Sequence, residues 1–169
     1  AREKCTARWA RRVEPRLSRG RRTSPRRVRV IWGPGALQAR VFSHQSNVAS
    51  PKAHRRLKEG GHSITVAESC TGGLLTSAFT DIAGASNWFN QSWVTYSNLA
   101  KVKELRVEQE TLDKKGAVSA EVAIQMAKGA LQNAEADIAI SITGIAGPGG
   151  DDTKKEVGTV YVGIASNTW

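Results

Sequence analysis

The chain has 169 residues and a formal net charge of +10, a length that suits one domain with its own core rather than two ordinary domains. The charge is uneven, because residues 1–60 carry 17 Lys and Arg against 3 Asp and Glu, while residues 61–169 carry 8 against 12. No apolar run approaches the roughly 20 residues of a membrane span, and two distant cysteines do not make a disulfide framework. We therefore expect a cytoplasmic protein with reduced cysteines and no membrane partner.

Residues 1–50 differ in composition from the rest of the chain. They contain three arginine pairs and three prolines, and their apolar residues follow neither a strand nor a helix period. Such a segment cannot bury enough surface to offset its ordering entropy. One interpretation is an arm that neutralises nucleic-acid phosphates. We favour a disordered or non-native segment, because basic and aromatic residues do not interleave, and we expect no nucleic-acid partner except through this arm.

Residues 51–169 show the pattern of an α/β domain. Two of the predicted helices have candidate N-caps, Asn98 and Ser119. Helices are predicted over 54–59, 71–82, 98–106 and from Ser119 onward. Strands are predicted over 63–67, 93–96, 138–142 and 158–164. Strands that alternate with helices indicate a largely parallel sheet covered on both faces, in which ligands bind at the carboxyl ends of the strands.

The most informative stretch is Ala-Glu-Ser-Cys-Thr-Gly-Gly at residues 67–73, where a predicted strand turns into a helix. Such a junction directs backbone N–H groups toward whatever lies beside the turn. Ser69 is placed to attack a carbonyl there, while the amides hold an oxyanion or a phosphate. Cys70 is the rival nucleophile, but no histidine partner is evident for it, and we favour Ser69.

A serine nucleophile needs a base, and none of the three histidines lies in a distinctive setting. His62 precedes the strand over 63–67 and therefore lies at the end opposite Ser69. Lys101 follows the strand over 93–96 in the first turn of a helix, where the positive end of the helix dipole favours a neutral amine. Taken alone, Lys101 also fits an ordinary solvated lysine, and Tyr96 fits a packed strand aromatic.

A second glycine-rich loop, over 144–150, follows a predicted strand and is expected at the same edge of the sheet. Its amides could cradle a phosphate, or its glycines could serve tight turns that need positive φ. It is not a P-loop, because no Gly-Lys-Ser/Thr follows it. No His pair at helical spacing and no Cys-x-x-Cys occurs in the sequence, so we expect neither a metal site nor a cofactor.

Six segments, in order and in register, resemble the C-terminal domain of the CinA (competence/damage-inducible) family: 65–73, 94–101, 116–119, 126–129, 141–148 and 157–163. The resemblance implies a three-layer α/β/α sandwich that hydrolyses the carboxamide of nicotinamide mononucleotide to nicotinate mononucleotide and ammonia, in pyridine nucleotide salvage. It implies Ser69 as the nucleophile, with Tyr96 and Lys101 as its polar and basic partners. The substrate site that it implies is lined by Thr71, Gly72, Gly73, Thr143, Gly144 and Gly147.

This resemblance leads to a mechanism and to an alternative. We expect Lys101 to take the Ser69 proton directly or through Tyr96, and amides of the 70–73 turn or the 143–147 loop to hold the oxyanion. The family domain continues past the strand over 158–164, so we expect the domain over 51–169 to be incomplete at its C-terminus. Exposed core would then favour a homo-oligomer. The alternative function is a catalytically inactive remnant that binds a nucleotide or a protein partner.

Overall fold

A computed structural model describes residues 27–31, 36–40, 51–147 and 155–167, with residues 27–31, 36–40 and 51–54 described as backbone only. The strands are β1 Arg27–Ile31, β2 Ala36–Arg40, β3 Ile64–Glu68, β4 Phe89–Val94, β5 Ile138–Gly144 and β6 Val160–Ser166. The helices are α1 Pro51–Gly60, α2 Leu74–Thr80, α3 Asn98–Leu105, α4 Gln109–Lys115 and α5 Ala120–Ala134. A short 3-10 turn, Ala85–Asn87, precedes β4.

The strands form one sheet in the order β2-β1-β6-β5-β3-β4. Strand β3 pairs in parallel with β4 on one side and with β5 on the other. Strand β6 runs antiparallel to β5 and parallel to β1, and β1 and β2 form an antiparallel pair. The parallel group β4-β3-β5 brings the carboxyl ends of three strands to one edge, as the alternation of strands and helices predicted.

Helices cover both faces of the sheet, and β3 is consequently buried along its whole length. One face packs Ala67 of β3 against residues of α5 such as Val122 and Met126. The other face packs Ile64 and Val66 of β3 into a second cluster with residues of α2 and of the turn before β4. The sheet and the helices on its two faces form three layers. The longest described helix, α5, has 15 residues, and none of the described helices could span a bilayer.

Several boundaries differ from the sequence predictions for local reasons. Helix α2 begins at Leu74, because Gly72 and Gly73 have φ of 61° and 103° and keep the preceding residues in a turn. The N-cap of α3 is Ser97, whose hydroxyl accepts from Ala100 N at 3.1 Å, and not the predicted Asn98. The predicted cap Ser119 is confirmed for α5. Helix α4 was not predicted.

Strands β1 and β2 lie inside the segment 1–50 for which we predicted no folded structure. The rest of that segment lies outside the described residues. Nothing in the described residues tests whether residues 1–50 form a nucleic-acid-binding arm or a non-native segment, so both interpretations stay predictions.

Helix α5 approaches the end of α3 closely at Gly129. A Cβ atom at this position would lie 1.9 Å from the carbonyl oxygen of Leu105, far inside van der Waals contact. Leu105 is itself almost fully buried. The glycine therefore sets the distance between the two helices, and α3 is the helix that carries Lys101.

We expect Gly129→Ala to lower the free energy of unfolding by about 1–3 kcal/mol or more, because the new methyl group meets rigid backbone. Urea denaturation monitored by circular dichroism measures this change. Lys128→Ala, on the exposed neighbour in the same helix, is the control and should change stability by less than about 0.5 kcal/mol. Without the α3 contact, alanine at 129 would instead stabilise the helix by about 1 kcal/mol, and that sign would contradict the close approach.

Candidate active site

Three segments of the chain meet where the parallel strands end. Ser69 follows β3 directly, Thr95 follows β4, and β5 ends at Gly144. The register holds these ends together, because Glu68 at the end of β3 lies opposite Val94 at the end of β4. The predicted meeting of the strand ends at one sheet edge is thus found, and the nucleophile candidate lies at its centre.

The structure brings the predicted nucleophile and the predicted base into direct contact. Lys101 Nζ donates to Ser69 Oγ at 3.0 Å, and both residues are buried, with 1% and 7% of their surface exposed. Lys101 reaches Ser69 because α3 begins at Asn98, shortly after β4 ends at the same sheet edge as β3. Lys101 is therefore not the solvated helix lysine that the sequence left as an alternative.

The amine of Lys101 has two further partners, both backbone carbonyls. Its Nζ donates to the oxygens of Thr95 at 2.8 Å and Tyr96 at 3.1 Å. As an ammonium, Lys101 donates all three of these hydrogen bonds. After it loses a proton, the amine keeps two N–H groups for the carbonyls, and its lone pair can accept a hydrogen bond from the Ser69 hydroxyl. Burial lowers the pKa of Lys101 from 10.5 to about 8, and a negative charge on Cys70, when its thiol is ionised, works in the opposite direction.

The turn over residues 69–73, which we call the nucleophile turn, is fixed by backbone hydrogen bonds. Ser69 N donates to Ile142 O on β5 at 3.0 Å, and Gly72 N donates back to Ser69 O at 3.1 Å. Within the described part of the chain, the N–H groups of Thr71 and Gly73 have no hydrogen-bond acceptor. As far as the described residues show, these two amides, one residue apart in a turn beside Ser69, are available to donate to a bound group.

Glu68, one residue before the nucleophile, was not among the predicted site residues. It is fully buried at the end of β3, and its carboxylate accepts hydrogen bonds from the first turn of α2. Burial alone would raise the pKa of this carboxyl, but the nearby Thr71 hydroxyl and the bonds from Thr76 and Leu75 hold it below the usual value. The available signal was a carboxylate at the end of a strand predicted to be buried, since such a group must find hydrogen-bond donors.

The other predicted substrate residues fall into two groups. Thr71, Gly72 and Gly73 belong to the nucleophile turn itself. Thr143 is 1% exposed, and its hydroxyl donates to the carbonyl of Ala117 at 2.9 Å. The structure therefore places the Thr143 hydroxyl in a hydrogen bond that joins β5 to the segment before α5.

The predicted glycines of the second loop are explained by packing and by turn geometry. A Cβ at Gly144 would lie 2.8 Å from the carbonyl oxygen of Thr159 and 3.0 Å from Cys70 Sγ. Gly147 has a φ of 82°, and a Cβ there would lie 2.6 Å from a methyl group of Val157. The part of the loop over 148–154 lies outside the described residues.

Tyr96 contacts Lys101 through its backbone, whereas its side chain is 70% exposed. Three other large apolar side chains near the nucleophile turn are also exposed, at the start of α2, the end of β4 and the first turn of α3. We call this group the apolar rim: Leu74, Val94, Tyr96 and Leu99. Its members lie at or next to the ends of the elements that lead to Ser69 and Lys101.

Cys70, the rival nucleophile, is a half-buried free thiol. Burial raises its pKa above the usual value, so the protonated, weakly nucleophilic form is favoured. Among the described residues, no group of three His, Cys, Asp or Glu side chains could hold a metal ion.

The sequence model of the CinA C-terminal domain matches residues 47–168. The chain belongs to the CinA C-terminal domain family. It is 57% identical over 113 residues to a competence-damage inducible protein of Caldicellulosiruptor saccharolyticus, and the match covers 67% of this chain and 28% of that protein. It is 50% identical over 117 residues to the nicotinamide-nucleotide amidohydrolase PncC of Escherichia coli strain K12, which covers 69% of this chain and 71% of that protein.

Solved structures give the same assignment. A CinA superfamily protein of Escherichia coli matches with a TM-score of 0.68 and 37% identity, over 70% of this chain and 69% of that chain. The competence/damage-inducible protein CihA of Agrobacterium tumefaciens matches with a TM-score of 0.67 and 42% identity, over 75% of this chain and 78% of that chain. The predicted family and the α/β fold class are confirmed.

The buried amine makes a prediction about stability and pH. Unfolded Lys101 binds its proton with a pKa of 10.5, and folded Lys101 with a pKa of about 8. Between these values the unfolded state holds more protons, so the unfolding free energy rises with pH. Relative to Lys101→Met, the native residue should gain up to roughly 3 kcal/mol of stability across this interval.

Chemical denaturation from pH 7 to 11 measures this gain. Both proteins should carry Cys70→Ala, because an unperturbed thiol titrates in this range and burial raises the pKa of Cys70 above its usual value. Parallel stability profiles for the lysine and methionine proteins would contradict a depressed lysine pKa.

Proposed function

We propose that this chain is an amidohydrolase that converts nicotinamide mononucleotide and water to nicotinate mononucleotide and ammonia. The observation that carries the proposal is the buried 3.0 Å contact between Lys101 Nζ and Ser69 Oγ. Relatives support the substrate, because the proteins named nicotinamide-nucleotide amidohydrolase PncC include those of Escherichia coli and Enterobacter agglomerans, at 50% and 54% identity. The reaction would belong to pyridine nucleotide salvage. A reducing cytoplasm would keep Cys70 free beside the nucleophile.

The first half of the reaction forms an acyl enzyme. Neutral Lys101 takes the Ser69 proton as Oγ attacks the carboxamide carbon, and a tetrahedral oxyanion forms. The free N–H groups of Thr71 and Gly73 stabilise that charge, because they are fixed in the turn and need no reorganisation. Lys101 then gives its proton to the leaving nitrogen, which departs as ammonia.

The second half restores the serine. Lys101, neutral again, takes a proton from water, and the resulting hydroxide equivalent attacks the acyl carbon. The same two amides hold the second oxyanion. The carbon–Oγ bond breaks, the Lys101 proton returns to Ser69, and the product leaves as the carboxylic acid, which gives its proton to water and becomes nicotinate.

Proton transfer is direct in this proposal, without Tyr96 as a relay. The short distance between Lys101 and Ser69 supports the direct path, and the exposed Tyr96 side chain supports a different role. An exposed aromatic ring next to a nucleophile offers a flat face to a planar pyridine ring. The apolar rim would then contact the base of the nucleotide.

Purified, folded chain should release ammonia from nicotinamide mononucleotide, measured with a coupled ammonia assay. Ser69→Ala should lower kcat by at least about a thousandfold, because the nucleophile is removed. Ser77→Ala, on an exposed serine of α2, is the matched control and should retain activity. The rate should rise with pH and level off above about 8, as Lys101 loses its proton.

Release that persists in Ser69→Ala would contradict the serine mechanism. A folded wild type that releases no ammonia would favour the alternative, an inactive member of the family that binds a nucleotide or a protein partner. Calorimetric titration with the mononucleotide then distinguishes those two cases.

Two substitutions separate the possible roles of Tyr96. Tyr96→Phe keeps the ring and should leave kcat and KM close to those of the wild type. Tyr96→Ala removes the ring and should raise KM by about tenfold with a smaller effect on kcat. A large loss of kcat in Tyr96→Phe would instead indicate that the phenol moves the proton.

The apolar rim also supports the homo-oligomer that we predicted, since exposed apolar patches commonly mark contact surfaces. Light scattering on the same variants tests this alternative use of the rim. A wild-type mass above the 18.2 kDa of one chain that falls in Tyr96→Ala places the ring in a subunit interface. An unchanged mass together with a raised KM places it on the substrate.

A further inference from the structure

Glu68 links the strand that leads to the nucleophile with the helix that follows it. Its backbone oxygen accepts from Thr95 N at 2.8 Å, and the carbonyl of Thr95 accepts from Lys101. Its side chain points away from bulk water, with none of its surface exposed. The proposed mechanism gives this buried carboxylate no role in proton transfer.

The carboxylate holds the first turn of α2 with both of its oxygens. Oε2 accepts from Leu75 N at 3.0 Å, while Oε1 accepts from Thr76 N and from the Thr76 hydroxyl, each at 2.8 Å. Thr76 Oγ1 in turn lies 2.9 Å from Ser92 Oγ on β4. Because the first N–H groups of a helix have no acceptor within the helix, Glu68 supplies acceptors that α2 lacks.

These contacts close a short loop around the nucleophile turn. Only six residues separate Glu68 from Leu75, and both ends of this interval are hydrogen-bonded to each other. Two of the enclosed residues, Gly72 and Gly73, have positive φ and little intrinsic rigidity. Without the carboxylate, nothing else recorded for the described residues ties the N–H groups of Leu75 and Thr76 to β3.

We propose that Glu68 is a positioning residue for Ser69, which acts by fixing the nucleophile turn between β3 and α2. The inference rests on the proposed function for its catalytic part and on hydrogen-bond geometry for its structural part. The carboxylate keeps the Thr71 and Gly73 amides in place relative to Ser69 Oγ. Its anionic form suits this role, because charged acceptors make stronger hydrogen bonds with N–H donors than neutral ones do.

Glu68→Gln is the informative substitution, since it keeps the size of the side chain. A glutamine has one acceptor oxygen, and its amide group would turn N–H donors toward Leu75 N or Thr76 N. The matched control is Asp137→Asn, at the opposite end of β3. There a carboxylate oxygen accepts from Ser63 N at 2.7 Å and from the Ser63 hydroxyl at 2.9 Å.

Two readouts distinguish positioning from a merely structural role. Hydrogen exchange measured by mass spectrometry should show faster exchange over residues 70–76 in Glu68→Gln but not in Asp137→Asn. The value of kcat per folded molecule should fall by about tenfold to a hundredfold, as expected for a misplaced reacting group, while KM changes little. The pH midpoint near 8 should stay in place, because Lys101 keeps its surroundings.

Each outcome bears on the proposal. Unchanged exchange over 70–76 overturns it whatever the activity, and faster exchange with wild-type kcat overturns its catalytic part. A pH midpoint that shifts with the loss of kcat also overturns it, because Glu68 would then act on the charge of Lys101. A wild type with no turnover refutes the proposed function alone, and the exchange result still supports or overturns the fixed turn.

A second variant covers the case in which Glu68→Gln does not fold. Thr76→Val removes one donor to the carboxylate and the contact with Ser92, while the two backbone bonds to Glu68 remain. We expect a smaller fall in kcat, about twofold to fivefold, with the same direction of change in exchange over 70–76. Thr76→Val with native exchange and native kcat would overturn the proposal.

Discussion

The site depends on one lysine amine that the fold holds out of water. A buried ammonium is costly unless it is well paired or loses its proton. The partners of Lys101 Nζ are the hydroxyl of Ser69 and the carbonyls of Thr95 and Tyr96, at 2.8 to 3.1 Å. A neutral amine can satisfy all three, so burial moves the protonation equilibrium without leaving a polar atom unpaired. The consequence is an amine whose pKa, about 8, lies near neutral pH.

The parallel sheet makes this arrangement possible, because it brings residues that are far apart in the sequence to neighbouring positions at one edge. Glu68 and Val94 are register partners, so the residues that follow β3 and β4 emerge side by side. The hydroxyl of Ser97 then caps α3, which starts the helix at once and places Lys101 in its first turn. One sheet register and one helix cap therefore contribute to the short distance between Lys101 and Ser69. The close approach of α5 at Gly129 supports the far end of the same helix.

The sequence identified the parts of the site that follow from chain topology. Ser69 and Lys101 each come just after a predicted strand, and parallel strands bring such positions together. Glu68 was missed because its hydrogen-bond donors lie on α2, and sequence patterns do not show which side chain receives a helix terminus. The contact of Tyr96 with Lys101 was similarly hidden. A residue that accepts a hydrogen bond through its backbone carbonyl looks the same in sequence as one that uses its side chain. Thr143 was assigned to the substrate site from the family resemblance, and that resemblance did not show that its hydroxyl donates to the carbonyl of Ala117.

The two buried ionisable residues of the site, Glu68 and Lys101, do not form an ion pair with each other. Every ion pair recorded among the described residues joins exposed side chains, and none includes either of them. The carboxylate is satisfied by N–H and O–H donors, while the amine is satisfied by oxygen acceptors. A direct ion pair would stabilise the ammonium form and raise the pKa of the lysine, which would remove a base from use at neutral pH. In the mechanism that we propose, this separation lets both groups serve one nucleophile, the carboxylate by holding the turn and the neutral amine by taking the proton.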